Sequence, residues 1–228
     1  MVQSLYAAWV NGNASEPTAL GSSGGLASVR PKTRRGQASR ERLVEAAVAS
    51  VVDHGVKQLR VDEVLAAAGS SKSQMYHYFS DRDALIDAAV ARRCEEFLEL
   101  LRQAFGGVSS LDALGSVLAG FVSDYAEHLS GCPVGTLAGE LTAGPEPARQ
   151  RTVEAFGAWE GYLTAALQRI QDAGELPSDC DAGELALGLL VGLEGGMFLS
   201  QVRGSERPLR VALDTALAYL DSLRPTLD

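Results

Sequence analysis

The stretch VDEVLAAAGSSKSQMYHYF, residues 61–79, constrains the fold more than any other part of the chain. Val61, Val64, Leu65 and Ala68 fall at the three-and-four spacing of a short helix with one buried face. Gly69 ends that helix, since glycine takes the left-handed conformation that stops helices at little cost. Ser71 then offers a hydroxyl cap to a further helix of about two turns, in which Met75 and Phe79 face inward. That leaves Lys72, Ser73, Gln74, Tyr76 and His77 on the outer side.

The flanks continue the pattern. From Ala38, the residues Leu43, Ala46, Ala47, Ser50, Val51 and His54 predict a helix closed by Gly55. Ser80 is expected to cap a long helix from Asp81 to about Phe105, with Ser80 and Asp83 spaced as a capping box. Further helices are predicted over 110–128, 136–141, 147–173, 181–203 and, opened by Pro208, up to about Leu223. The break SGCPVG separates the first two of these, and no strand-like alternation appears. The fold class is therefore all-α, with about nine helices. Residues 1–32 are rich in Gly, Ser, Asn and Ala and read as a flexible leader ending in the basic run RPKTRR. That run is either a solvated tail or an arm for a DNA minor groove.

Composition narrows the function. Three cysteines with no CxxC pair and three scattered histidines provide neither a disulfide framework nor a metal cluster, so no metal and no cofactor are expected. Nucleophile–base pairs and phosphate-cradling glycine loops are missing too, which argues against an enzyme. No apolar run is expected to reach the length of a membrane span, and the N-terminus lacks the basic lead of a signal peptide, leaving the cytoplasm as the default. The net charge of −9 at first argues against nucleic acid. Its distribution reverses that argument. Residues 29–82 hold ten Lys/Arg against six Asp/Glu, a net +4, and the remainder carries −13. Such asymmetry points to a nucleic-acid module joined to something else, or else to a basic flank with no partner.

Three short helices with a tight turn between the second and third match the helix-turn-helix plan. Taken whole, SRERLVEAAVASVVDHGVKQLRVDEVLAAAGSSKSQMYHYFSDRDALIDAAV resembles the N-terminal domain of the TetR family of bacterial transcriptional repressors. The segment AAAGSSKSQMYHYFSDRDAL carries that family's joint pattern of Ala, Gly, Ser-Lys, Tyr, Phe and a basic residue ahead of Ala-Leu. The resemblance implies a DNA-binding domain at 33–82 and a helical effector-binding and dimerisation domain at 83–228. It implies double-stranded operator DNA as partner, a homodimer formed through the last two helices, and release by a small-molecule effector. The rival reading is a helical small-molecule-binding or interaction protein without DNA-binding activity.

Carried over residue by residue, Tyr76 and His77 are expected to touch phosphate and a base edge, and Lys72 and Ser73 to approach the groove from the helix start, beside the cap Ser71. Gln74 is either an adenine reader or the second arm of a Ser71-x-x-Gln74 capping box. Arg82 stands where the family usually has lysine, at a helix start that can hold a phosphate. Arg60 replaces the usual Ser or Thr cap, trading a hydroxyl for a possible phosphate contact. Ser70 departs from the family's usual apolar residue.

For the effector, the candidates are Phe97, Leu101, Phe121, Tyr125, Phe156, Trp159, Tyr162 and Phe198, aromatics and one leucine that are either ordinary core or a ligand lining. Glu194 stands alone in an apolar helix. It is partnered by an arginine, turned to solvent, or available to a cationic or hydroxylated ligand. Gly188, Gly192, Gly195 and Gly196 are expected to allow close helix approach in the dimer.

Overall fold

The structure is a computed structural model, and it describes residues 31–127, 129 and 131–225. The leader up to residue 30, with Arg30 of the basic run, and His128 lie outside the described residues. Among the described residues there are nine α-helices and no strand: α1 Arg34–His54, α2 Val61–Ala67, α3 Lys72–Tyr78, α4 Arg82–Phe105, α5 Leu111–Ala126, α6 Pro133–Glu140, α7 Glu146–Asp172, α8 Ala182–Arg203 and α9 Arg207–Ser222. The all-α expectation holds.

Several boundaries shift for identifiable reasons. Helix α1 starts four residues before Ala38, because Thr33 Oγ1 accepts the N–H of Gly36 at 3.1 Å and caps it there. Helix α4 is capped by Asp81, whose carboxylate accepts the Ala84 N–H at 2.8 Å. The Ser80 hydroxyl donates to Asp81 at 2.9 Å, so the expected Ser80–Asp83 capping box is replaced by an Asp81 cap. A carboxylate one residue closer to the helix wins over a hydroxyl. Helix α6 begins at Pro133 inside the predicted break, since proline at a first-turn position opens a helix.

The chain divides into two compact units. Of the described residues, one takes 31–96 together with Thr136–Ala155. Its core is built from Leu43, Val44, Ala47, Val51, Val64, Met75, Phe79, Leu85 and Ile86, all buried. Two ties hold 136–155 to the first helices. Glu140, closing α6, accepts the Val56 N–H, and Arg151 on α7 pairs with the largely buried Asp87 on α4 at 3.2 Å.

The other unit takes Phe97–Gly135 and the chain from Phe156. Here α8 packs along α9, with the Gly196 Cα so close to Leu209 that a Cβ would lie 2.8 Å from the Leu209 Cα. Ser200 Oγ accepts the Leu209 N–H at 3.1 Å, joining the same two helices. Gly196 thus serves close approach inside one chain, while Gly188 and Gly195 face open space. Helix α8 also corrects the expectation about membrane length: its 22 residues are long and apolar enough to span a bilayer. Its apolar character runs round both sides. One side, through Ala186, Leu189, Leu193 and Met197, is buried in the unit.

Candidate nucleic-acid interface and effector region

The candidate face is built on α3, and its geometry starts with the turn before it. Gly69 has φ +57°, in the left-handed region, with open space where a side chain would stand. Ser71 then caps α3 reciprocally. Its Oγ accepts the Gln74 N–H at 3.2 Å, and Gln74 Oε1 accepts the Ser71 N–H at 2.9 Å. Of the two roles open to Gln74, the structure shows the cap. A bidentate adenine contact needs the same amide oxygen region and would have to break that bond.

Met75, Tyr78 and Phe79 are buried and fix the inner side of α3, with the Arg40 guanidinium 5.1 Å from the Phe79 ring centroid. Lys72, Ser73, Tyr76 and His77 are exposed on the outer side, Tyr76 to 53 %. The His77 ring meets Tyr78 edge-on at 5.1 Å, which restrains it beside the buried side.

Charges around α3 are balanced. Lys72 Nζ lies 3.5 Å from Asp62, and Arg60 lies 3.4 Å from Glu63, all four side chains mostly in solvent. Arg60 makes no cap to α2, as its side-chain type dictates. Arg82 is turned inward instead: its guanidinium donates to the carbonyls of Leu59, Val56 and Lys57 at 3.1, 3.1 and 3.2 Å. Arg82 is therefore placed as a strut under the α1–α2 connection, at the start of α4. There the Asp81 carboxylate, held below its usual range by the Ala84 N–H and then by the Ser80 hydroxyl, already occupies one helix N–H.

The second unit gathers the aromatic candidates unevenly. Phe97 meets Trp159 edge-to-face at 5.0 Å, and Phe156 stacks on Trp159 at 6.2 Å. Phe97, Leu101, Tyr125 and Trp159 are buried, Phe121 and Tyr162 half-buried. Phe198 departs from expectation: it is 63 % exposed, on the side of α8 opposite the packed one. Tyr125 donates its hydroxyl to the Met197 carbonyl at 2.8 Å and accepts the Gly131 N–H at 3.2 Å.

Glu194 has no arginine partner shown and is not turned fully to solvent. Its carboxylate takes a hydrogen bond from the Cys132 thiol and lies against Gly135, where a Cβ would be 2.6 Å from Oε2. Its Oε1 and the Trp159 Nε1 are buried without a hydrogen-bond partner. Burial pushes Glu194 above its usual range, and burial followed by the Glu194 charge pushes the Cys132 thiol up in turn. An open groove of about 570 Å³ between α5 and α9, lined by Gly115, Ala119, Leu217 and Arg224 among others, includes none of the residues expected to meet an effector. Among the described residues no group of His, Cys, Asp and Glu is placed to hold a metal ion.

Residues 43–89 match the family described as bacterial regulatory proteins, tetR family, and residues 107–216 match the tetracyclin repressor-like C-terminal domain. An uncharacterized HTH-type transcriptional regulator of Mycobacterium tuberculosis is 30 % identical over 184 residues, covering 76 % of this chain and 89 % of that protein. The chain belongs to the TetR family. Transcriptional regulator AcuR of Cereibacter sphaeroides is 28 % identical over 194 residues, covering 80 % and 89 %. Among solved structures, a regulatory protein TetR from Rhodobacter sphaeroides aligns with a TM-score of 0.65 at 27 % identity, covering 79 % of this chain and 98 % of that one. TetR-family proteins are DNA-binding transcriptional regulators rather than enzymes, and they bind DNA as dimers.

Sequence reasoning missed three site elements: the Asp81 cap, the inward turn of Arg82, and Glu140. The first had a signal in Ser-Asp-Arg-Asp, where two acids compete for one helix start. The other two join residues 23 to 84 positions apart, which no local pattern reveals.

Proposed function

We propose that this TetR-family regulator is a repressor that binds a palindromic operator through α3 of each protomer and is released by a small-molecule effector. The observation that carries the DNA reading is the exposed Tyr76–His77 edge on a helix whose other side is wholly buried. Ser73, Tyr76 and His77 face the bases, and Lys72 and Arg60 the phosphates. Residues 33–82 do the reading, residues 83–228 dimerise and take the effector, and the protein acts in the cytoplasm where its DNA is.

The dimer forms through α8 and α9. Leu187, Val191, Phe198 and Val202 on α8 are exposed and fall within an arc of roughly 60° at the helical turn angle. Val211 and Tyr219 are exposed on α9. A helix that is apolar on its solvent side as well as its packed side lacks a partner. A second copy supplies it by two-fold symmetry and sets two reading helices about one DNA turn apart.

For the effector, the supporting observation is the pair of buried, unpartnered polar atoms in the second unit, Trp159 Nε1 and Glu194 Oε1. Unsatisfied buried groups are costly, and a ligand offering an acceptor to the indole and a donor or cation to the carboxylate removes that cost. Phe97, Leu101, Phe121, Tyr125 and Tyr162 supply its apolar surroundings. Effector control follows from any ligand that binds the DNA-releasing arrangement more tightly than the DNA-bound one.

The test is selection of duplexes from a random pool by the purified protein. Enrichment of a palindrome with steep salt dependence supports the proposal. Recovery of random sequence with a flat salt response supports the rival interaction module instead.

A further inference from the structure

The connection between α1 and α2 is gripped from both chemical sides. Gly55 leaves α1 with φ +83°, and Val56–Gln58 then form a single 3₁₀ turn. The N–H of Val56 points at the Glu140 carboxylate, with Oε2 at 2.6 Å. The carbonyls of Val56, Lys57 and Leu59 point the other way and receive the Arg82 guanidinium at 3.1–3.2 Å. An anion takes the donor end of the turn and a cation its acceptor end, which is the arrangement the peptide dipoles favour.

The glycine belongs to the same device. A Cβ at Gly55 would stand 2.6 Å from Glu140 Oε2 and 2.9 Å from Oε1, so a side chain there would displace the carboxylate. Positive φ alone accounts for a glycine. The carboxylate contact is a second, independent reason.

Glu140 is the last residue of α6, and α6 is the helix whose first turn sets Gly135 against Glu194. Arg82 is the first residue of α4. The turn that leads into α2, and through Gly69 into α3, is thus fixed by the ends of two helices outside the reading motif. A carboxylate–amide bond of this length is charge-assisted and directional, so the turn follows the position of α6.

We propose that Glu140 is a positioning residue for DNA recognition: together with Arg82 it clamps the Val56–Gln58 turn and so sets the angle at which α2 and α3 are presented. This rests on the DNA-binding reading above, and it names the contact through which a shift of α6 reaches the reading helix. Glu140 itself touches no DNA.

The experiment compares wild type with Glu140→Ala and Glu140→Gln, using the duplex that wild type selects from a random pool and a scrambled duplex of equal length. Affinity is read by fluorescence anisotropy across salt, and the amides of residues 56–59 by hydrogen exchange. Glu140→Ala should speed exchange at Val56 and weaken binding to the selected duplex by about tenfold. The salt slope should stay at the wild-type value, because no phosphate contact is removed. Glu140→Gln keeps an acceptor and should recover part of both losses. A purely structural role would weaken selected and scrambled duplexes alike; a positioning role lowers the ratio between them.

Unchanged exchange and unchanged selectivity in both variants would overturn the clamp. If Glu140→Ala does not fold, as judged by circular dichroism, the Gln variant decides alone, and its wild-type selectivity would be equally fatal. If wild type selects no duplex at all, the DNA-binding reading fails and takes the clamp's role with it. Binding by wild type with indifferent variants removes the clamp only.

Discussion

Lys72 offers the sharpest quantitative check on the proposed interface. It is the only lysine on α3, its side chain is 63 % exposed, and Asp62 sits 3.5 Å away with 85 % of its own side chain in solvent. A pair so exposed is worth about 1 kcal/mol or less, so DNA phosphate can draw the ammonium away from Asp62 at small cost. Each phosphate neutralised releases counterions worth about 0.9 in the slope of log affinity against log salt. Lys72→Ala removes one contact per protomer and two per dimer, so the slope should flatten by about 1.8. Between about 50 mM and about 200 mM salt, the gap between variant and wild type should then shrink roughly tenfold. Asp62→Asn frees the lysine in both protomers and should tighten dimer binding by less than about thirtyfold, the equivalent of two such exposed pairs. Anisotropy titrations at four salt concentrations on one duplex suffice. Parallel lines for Lys72→Ala and wild type would show that Lys72 meets no phosphate and that the α3 face is turned some other way.

Five further outcomes follow from features described above. Ser71→Ala removes the hydroxyl arm of the α3 capping box and should cost about 1 kcal/mol in urea denaturation. Gln74→Ala should lose no base specificity beyond what that cap explains, which operator-mutant titrations would reveal. Gly196→Ala drives a methyl to within 2.8 Å of the Leu209 backbone and should destabilise by about 1–3 kcal/mol, with a lowered denaturation midpoint. Val191→Asp places a charge in the exposed face of α8 and should leave a folded monomer in sedimentation velocity, with operator binding lost; a dimer of wild-type strength would move the interface elsewhere. For pH, the folded-state pKa of Asp81 is depressed, so its cap stabilises above the unfolded value near 3.8 and is lost as pH falls through the lower folded value. An NMR titration should place the Asp81 midpoint below 3.8, and Asp81→Asn should lessen the acid-side decline in stability.

Much of the reading head was legible because its signals are local. Gly69, Ser71, Met75 and Phe79 sit within eleven residues, and each has one dominant physical role: a turn, a cap, two anchors. Where two roles shared one residue, the sequence stayed ambiguous. Gln74 fitted a base contact and a cap equally, and only the 2.9 Å bond from the Ser71 N–H separates them. Arg82 matched a phosphate-binding position by resemblance, yet three carbonyls left by the 3₁₀ turn outcompete solvent for its guanidinium. The effector region was harder still. Phe198 and Met197 are neighbours in one apolar helix, and hydrophobicity cannot say which of them is packed; the structure buries Met197 and leaves Phe198 outside.

The engaged Gln74 and Arg82 change where specificity comes from in the proposed interface. With the Gln74 amide oxygen held by the cap and Arg82 held by the turn, two of the eight residues expected at the interface are committed to shape. Ser71 is committed as well, through the same cap. In the proposed interface base reading then falls to Ser73, Tyr76 and His77, whose hydroxyls and ring nitrogens can each donate or accept. Discrimination of this kind, from few direct contacts, depends on holding α3 at a fixed angle, since small rotations would exchange base edges for phosphates. The side chains spent on shape are therefore what allows the remaining three to read sequence, and loosening the α1–α2 turn should blur the operator preference before it abolishes binding.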